Sequence, residues 1–228
     1  MPENEQLDSN GTVGSGVSFR IFDPGDLSTC GRLAEDAWPA GPSIASKDFE
    51  QSGMKGYVEY SRNRSNWTDV AFTSDGIIGF LFGRIDGHLG EPAPREPSLG
   101  ELPSAIRSFL VRGHITPSLL MFLWNLTMTE VKLKLKMPKS DASIEMLIVD
   151  SKHRGKGVGK ALLERFLMAA EESGASLVTV YSDNWVSNWR FYERRGFTKV
   201  ETFHDNITSH YSGSNAQGII FALNLRER

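Results

Sequence analysis

The feature that most constrains this chain is a strand that leads through a glycine-rich turn directly into a helix. Ser143 to Val149 is mostly apolar and predicts a buried strand. Three glycines lie between Arg154 and Lys160, and Val158 to Glu172 has helical periodicity that stops at a Ser-Gly pair. Further strand and helix signals follow within about 60 residues, so the sequence predicts an α/β sheet with helices packed on it.

The remaining elements can be placed by periodicity and turn residues. We expect the other strands at Val17 to Phe22, Trp67 to Thr73, Ile77 to Ile85, Leu177 to Tyr181, Phe197 to His204 and Gly218 to Leu225. We expect the other helices at Asp26 to Trp38, Ser46 to Arg62, Leu102 to Arg112, Pro117 to Lys136 and Val186 to Arg195. The alternation from Val131 to Lys136 is equally compatible with a strand.

Residues 1–16 are polar and glycine-rich, and we expect them to form a disordered tail. Residues 17–228 then form a single domain. Asp86 to Pro103 contains four prolines and three glycines, which favours a loop. We interpret residues 86–141 as an insertion between the third and fourth strands.

The composition limits the function classes. The net charge of -3 favours neither nucleic acid nor an anionic membrane as a partner. No apolar run approaches the roughly 20 residues that span a bilayer, and the N-terminus has no signal-peptide core, so we expect a cytoplasmic protein. Cys30 lies in a helical pattern and is interpreted as a small core residue. We predict no metal site, because the histidines are scattered outside any ligand spacing: His88, His114, His204 and His210.

The turn before the predicted helix is suited to a phosphate group. The first N–H groups of a helix have no acceptors within it, and the helix dipole favours an anion there. Glycines allow the ligand to approach the backbone closely. Five basic residues surround this turn: Lys152, His153, Arg154, Lys156 and Lys160.

Two well-known phosphate loops do not fit. A Walker A loop ending at Gly159-Lys160 would need glycine at position 154 and Ser or Thr at position 161, where the chain has Arg and Ala. The dinucleotide fingerprint would need glycine at position 160 or 162 and would follow the first strand of its sheet. These mismatches argue against ATP and NAD.

The segment from Leu147 to Leu163 contains R-x-x-G-x-G and resembles the acyl-CoA-binding motif of the GNAT superfamily of N-acetyltransferases. Asn188 to Phe197 resembles the second signature of that family, a helix carrying Phe-Tyr before a Gly-Phe turn. The resemblance implies a mixed, mostly antiparallel sheet flanked by helices, here with an extra helical insertion. It also implies acetyl-CoA as the co-substrate and direct transfer of the acetyl group to a primary amine.

The resemblance also implies roles for individual residues. The loop would bind the pyrophosphate, and the strand before it would separate from its neighbour and lie along the pantetheine. The implied donor-binding residues are Leu147, Ile148, Val149, Arg154, Gly155, Lys156, Gly157, Val158, Gly159, Lys160 and Asn188. Asn184 is a second candidate for the pantetheine-contacting amide. Tyr192 would protonate the departing thiolate.

Glu145 is the candidate general base, because it places a charge within an otherwise apolar strand. A solvent-facing or ion-paired glutamate is the competing interpretation. The acceptor amine, of a small molecule or of a protein, is not specified by the sequence. The apolar part of the insertion could pack on the domain, form a homodimer contact or lie on a membrane surface, and we favour packing on the domain. A non-catalytic acyl-CoA-binding or protein-interaction module of the same fold is the alternative function.

Overall fold

In a computed structural model of the chain, residues 16–38, 47–90, 117–185 and 187–228 are described, together with Pro94. The predicted tail and the predicted helix at Leu102 to Arg112 lie outside them, apart from Gly16. The described part is one seven-stranded sheet with helices on both faces. This is the α/β, mostly antiparallel architecture expected from the sequence.

The strands are β1 (Ser18–Ile21), β2 (Trp67–Thr73), β3 (Gly76–Ile85), β4 (Ala142–Val149), β5 (Leu177–Asp183), β6 (Thr198–His204) and β7 (Gln217–Asn224). The helices are α1 (Leu27–Ala37), α2 (Lys47–Asn63), α3 (Pro117–Lys136), α4 (Val158–Glu172), α5 (Arg190–Glu193) and α6 (Asn206–Ser212). The sheet order is β1-β2-β3-β4-β5-β7-β6, and all pairs are antiparallel except β4 with β5.

Each face of the sheet covers its own hydrophobic cluster. On one face α4 packs through Leu162, Leu163 and Phe166 against strand residues such as Val178 and Phe221. On the other face α1 and α2 pack against β3 and β4, with a cluster that contains Phe22, Cys30, Ala34, Val58, Val70, Phe80, Phe82, Met146 and Ile148. Cys30 is therefore a buried core residue, as the helical pattern predicted.

Helix α3, which lies between β3 and β4 in the chain, is held to the sheet and α6 by polar side chains. The Thr129 hydroxyl donates to the buried carboxylate of Asp205 at 2.9 Å. The Lys132 ammonium donates to Asn206 Oδ1 at 2.6 Å, and Lys136 pairs with Glu201 at 3.0 Å. The polar side of this helix therefore packs on the domain, whereas the favoured interpretation had the apolar part of the insertion packing there.

The N-terminal half of α3 presents apolar side chains to solvent. Leu120, Met121 and Trp124 are each more than half exposed. No helix among the described residues is long and apolar enough to cross a membrane.

Two sequence expectations differ from the structure. The predicted helix at Val186 to Arg195 is only the single turn of α5, because Asp183 accepts hydrogen bonds from the backbone of Trp185 and Ser187 and folds that stretch as a loop. Helix α6 was not predicted. The predicted helix at Pro117 to Lys136 is confirmed, and the Val131 to Lys136 stretch is its last part and not a strand.

Candidate functional site

Strands β4 and β5 pair over only three residues and then separate. Their parallel register runs from Ala142 opposite Val178 to Ile144 opposite Val180. From Glu145 to Val149 the β5-facing edge of β4 has no strand partner among the described residues. We call this opening between the two strands the splay. An extended ligand could pair with this edge of β4.

A β-bulge at Glu145 lies where the splay begins. In the pairing with β3, Phe82 is opposite Met146 and the next residue, Gly83, is opposite Ile144, so Glu145 is the extra residue. Because of the extra residue, the residues of β4 that alternate after the bulge point to the opposite face of the sheet from those that alternate before it. Ile144 packs in the α4 cluster, whereas Met146 packs in the α1–α2 cluster. Glu145 is thereby turned toward α2, on the same face as Met146.

The turn after β4 is fixed by hydrogen bonds. The Asp150 carboxylate accepts from His153 Nδ1 at 2.8 Å and from the Lys152 amide at 3.2 Å. Burial acts to raise the pKa of Asp150, but these hydrogen bonds outweigh it and lower the pKa. Arg154 Nε donates to the carbonyl of Val149 at 3.1 Å, which ties the start of the glycine loop to the end of β4.

The glycine loop leads into α4 with its backbone exposed. Gly155 and Gly157 have φ angles of 76° and 85°, in the left-handed region that disfavours other residues. Gly157 is the N-cap of α4 and offers no side-chain cap. The first helical hydrogen bond runs from the Ala161 amide to the Gly157 carbonyl. The preceding helical amides, those of Val158, Gly159 and Lys160, have no acceptors within the helix, as the phosphate-site prediction requires.

Tyr192 lies on the face of the sheet that packs against α4. Its ring packs edge-on against Phe191 and Phe197, with centroids 5.3 and 5.6 Å away, and lies 6.0 Å from Phe221. Burial raises the pKa of the Tyr192 phenol. The hydroxyl is therefore protonated at neutral pH, which is the state that a proton donor needs.

Glu145 is paired with a residue that the sequence analysis did not identify. Arg64 Nε lies 3.2 Å from Glu145 Oε2, and the Ser143 hydroxyl donates to Oε1 at 2.7 Å. The side chains of Glu145 and Arg64 are 15% and 22% exposed, so the pair is largely shielded from water. The ion-paired interpretation of Glu145 describes this geometry, and its catalytic role stays a prediction.

Arg64 joins Glu145 to a group of residues on α2 and α3. It donates to the Tyr60 hydroxyl at 3.0 Å, lies over the Tyr60 ring and has Glu130 at 3.9 Å. Burial acts to lower the pKa of Arg64, but Glu145, Tyr60 and Glu130 outweigh it and raise the pKa. Burial also raises the pKa of the neighbouring Tyr57. We call Tyr57, Tyr60, Arg64, Glu130 and Glu145 the α2–α3 polar cluster.

A second polar group lies where β5, α3 and α6 meet. The Asp205 carboxylate is fully buried and accepts from the hydroxyls of Tyr181, Thr208 and Thr129 and from the Thr208 amide. Burial and the nearby Asp205 charge raise the pKa of Tyr181. Tyr181 follows directly after the last residue of β5 that pairs with β4, so this group borders the splay.

The structure separates the two asparagine candidates. The Asn184 side chain accepts from the Gln217 amide at 2.8 Å, so it is used to fix the start of β7. Asn188 is exposed two residues before α5, and its backbone carbonyl accepts from the Phe191 amide at 2.8 Å. The assignment of Asn188 to the pantetheine contact stays a prediction.

The described residues form no group of three or more His, Cys, Asp or Glu side chains that could hold a metal ion. The candidate site presents backbone amides, carboxylates, phenols and the largely shielded guanidinium of Arg64. The two catalytic candidates lie on opposite faces of the sheet, Glu145 toward α2 and Tyr192 toward α4.

Comparison with known proteins agrees with this geometry. Residues 131–199 match the family model described as the acetyltransferase (GNAT) domain, and this range contains β4, the glycine loop, α4, β5 and α5. No curated protein sequence matches the chain significantly.

Many solved structures share the fold. An agmatine N-acetyltransferase has a TM-score of 0.54 at 16% identity, covering 92% of this chain and 100% of that one. Ard1 from Thermoplasma volcanium has a TM-score of 0.52 at 17% identity, covering 92% and 97%. The PaiA N-acetyltransferase from Thermoplasma acidophilum, solved with coenzyme A, has a TM-score of 0.51 at 14% identity, covering 91% and 98%. At these identities the likeness shows the fold.

Proposed function

We propose that this chain, which carries a GNAT acetyltransferase domain, transfers an acetyl group from acetyl-CoA to a primary amine by direct attack. The observation that supports this most strongly is the splay of β4 from β5 directly before the glycine loop. An extended thioester needs a free strand edge, and its phosphates need amides at a helix N-terminus. The chain provides both features in one continuous stretch, Glu145 to Lys160.

The glycine loop supplies the donor-binding half. The helical amides of Val158, Gly159 and Lys160 point out of α4 and would hold the pyrophosphate. Lys156 and Lys160 are exposed beside them and add positive charge. The β5-facing edge of Leu147 to Val149 would donate an amide hydrogen bond to the thioester carbonyl and stabilise the charge that develops on its oxygen.

Glu145 would take the proton from the amine. An alkylammonium with a pKa of about 10.4 costs about 4 to 5 kcal/mol to deprotonate at pH 7. Each carboxylate oxygen of Glu145 has one identified partner, which leaves further lone pairs for a water or an amine. Its place at the bulge, where the splay begins, puts this acceptor next to the free strand edge.

Tyr192 would return a proton to the thiolate from the opposite face of the sheet. Its raised pKa makes the phenol a weaker acid than tyrosine in water. A thiolate formed in the same poorly hydrated site is also more basic than in water, because burial disfavours both anions. The proton transfer therefore remains energetically accessible.

The acceptor would enter from the α2 side, where the α2–α3 polar cluster and Tyr181 border the splay. This side supports a primary amine as the acceptor class, because its carboxylates and phenol oxygens can accept hydrogen bonds from an ammonium group. Agmatine and aminoglycosides are amines that appear in the names of similar structures, and they belong in the first set of candidates.

The test is a CoA-release assay with acetyl-CoA and a panel of polyamines, agmatine, aminoglycosides, amino acids and peptides. We expect release above the hydrolysis background for at least one acceptor, with a matching acetylated product by mass spectrometry. CoA binding by calorimetry is measured in parallel. Tight binding without transfer to any acceptor, together with no acetylated protein in lysate, would favour the non-catalytic acyl-CoA-binding alternative.

A further inference from the structure

Three phenols of the described residues border the splay on the α2 side, and two of them are engaged inside the protein. The Tyr60 hydroxyl accepts from Arg64 at 3.0 Å, and the Tyr181 hydroxyl donates to the buried Asp205 carboxylate. The third, the Tyr57 hydroxyl, has no hydrogen-bond partner among the described residues. Of the three, the Tyr57 hydroxyl therefore keeps its full hydrogen-bonding capacity for a ligand.

The Tyr57 hydroxyl is open to molecules from outside the chain. Within the described ranges, the buried side-chain polar atoms that lack a hydrogen-bond partner are Trp67 Nε1 and Arg195 Nε. The Tyr57 oxygen also lacks a partner but is not one of these buried atoms, and the residue as a whole is partly exposed. Solvent, and hence a substrate, can therefore reach this oxygen.

The ring of Tyr57 is held in place by its packing. It meets the Trp38 ring edge-on, with centroids 6.2 Å apart, and it packs against the hydrophobic cluster that contains Val58, Met146 and Ile148. Because the ring is already fixed, its hydroxyl loses little conformational freedom when a ligand binds.

Tyr57 lies across the opening between β4 and β5. Met146 and Ile148, in the cluster on which its ring packs, belong to the part of β4 that has separated from β5. On the other strand, Tyr181 is close enough to Tyr57 for electrostatic interaction, and Glu145 is also within this range of Tyr57. The Tyr57 hydroxyl is thus near both the free strand edge and the proposed general base.

We propose that Tyr57 binds the acceptor amine, with its phenol oxygen accepting a hydrogen bond from the nitrogen that attacks the thioester. This inference rests on the proposed function, because it assumes that an amine reacts at the splay. A phenol oxygen can accept a hydrogen bond from an ammonium group and from the free amine. Burial raises the pKa of Tyr57, so the phenol stays protonated and positions the amine, while Glu145 takes the proton.

The experiment measures steady-state transfer to the panel amine with the highest kcat/KM, with the amine and acetyl-CoA varied in turn. Tyr57→Phe keeps the ring and its packing, so the melting temperature should hold. We expect the KM for the amine to rise about fivefold or more, while kcat and the KM for acetyl-CoA change less than about twofold. The same amine is titrated by calorimetry into the full chain saturated with CoA, which has no acetyl group to transfer. In Tyr57→Phe it should bind more weakly by a similar factor.

Tyr60→Phe is the matched comparison, because it removes a phenol hydroxyl from the next turn of the same helix. That hydroxyl contacts Arg64, which pairs with Glu145, so we expect kcat to fall and the KM for the amine to change less than in Tyr57→Phe. An unchanged KM for the amine in folded Tyr57→Phe, or an equal rise in Tyr60→Phe, overturns the inference and leaves the proposed function intact. A wild-type protein that transfers acetyl to none of the panel amines overturns the proposed function and the inference with it.

Discussion

Arg64 and Glu145 form an ion pair, with Nε and Oε2 3.2 Å apart, that joins the end of α2 to the bulge in β4. The pair fixes the carboxylate that we propose as the general base, and it lies beside the splay. A residue from outside the glycine-loop region thus controls the orientation of a catalytic candidate.

Glu145→Gln should lower kcat about 100-fold or more, because a positioned general base typically contributes at least that factor. Arg64→Met should also lower kcat and should reduce the free energy of unfolding by about 1–3 kcal/mol, since it leaves a shielded carboxylate without its cation. The measurements are steady-state CoA release and urea unfolding. Arg62→Met, an exposed change in the last turn of α2, is the control and should alter neither quantity.

Tyr192→Phe should lower turnover at least tenfold while the affinity for acetyl-CoA changes little. The substitution removes only the hydroxyl, so the contacts of the ring with Phe191, Phe197 and Phe221 persist and the melting temperature should hold. Turnover with the best acceptor and acetyl-CoA binding by calorimetry check the two expectations. Near-normal turnover in the folded variant would remove the proton-donor role from Tyr192.

Gly157→Ala should weaken CoA binding about tenfold or more, because the added Cβ disturbs the loop conformation that presents the α4 amides. Gly174→Ala is a matched control at the other end of the same helix, since the two glycines have φ angles of 85° and 82° and each has open space around it. Both changes should cost about 1–2 kcal/mol of stability for a left-handed alanine. Only Gly157→Ala should weaken CoA binding. Equal CoA affinities in the two variants would contradict the assignment of the glycine loop as the phosphate-binding site.

Local sequence signals predicted most of the fold. The β2–β3 hairpin, the glycine loop and α4 were predicted because turn residues and periodicity determine them within a short stretch. Helix α6 was missed, although Asp205 before it and Gly213 after it are ordinary helix-boundary signals. The helix is too short for its apolar residues to show a clear helical periodicity in the sequence.

Only the part of the candidate site that is formed by consecutive residues was predicted from the sequence. The donor loop is a continuous segment, so its residues could be named from the sequence. The partners of Glu145 and Asp205 lie far along the chain, at Arg64 and Thr129, and no local pattern links them. The bulge at Glu145 depends on how β3 and β4 pair, so its reversal of the side-chain faces appears only in the folded sheet.

Asp141 should make the stability of the fold depend on pH. Its carboxylate accepts from the amides of Ser176 and Leu177, at 2.8 and 3.1 Å, where β5 begins beside β4. These two hydrogen bonds lower the pKa of Asp141 below its usual value. A carboxyl whose pKa is lower in the folded state contributes stability above the unfolded pKa of about 3.9 and loses it as the pH falls through the folded value.

Asp141→Ala should therefore reduce the free energy of unfolding by about 1–2 kcal/mol at pH 7. The difference from the wild type should shrink as the pH falls below about 4, because protonation removes the same interaction from the wild type. Urea unfolding from pH 7 to pH 3 measures this. Asp75→Ala, in the exposed β2–β3 turn, is the control and should show little difference at any pH. A stability loss in Asp141→Ala that stays constant across this range would mean that the side chain acts without its charge.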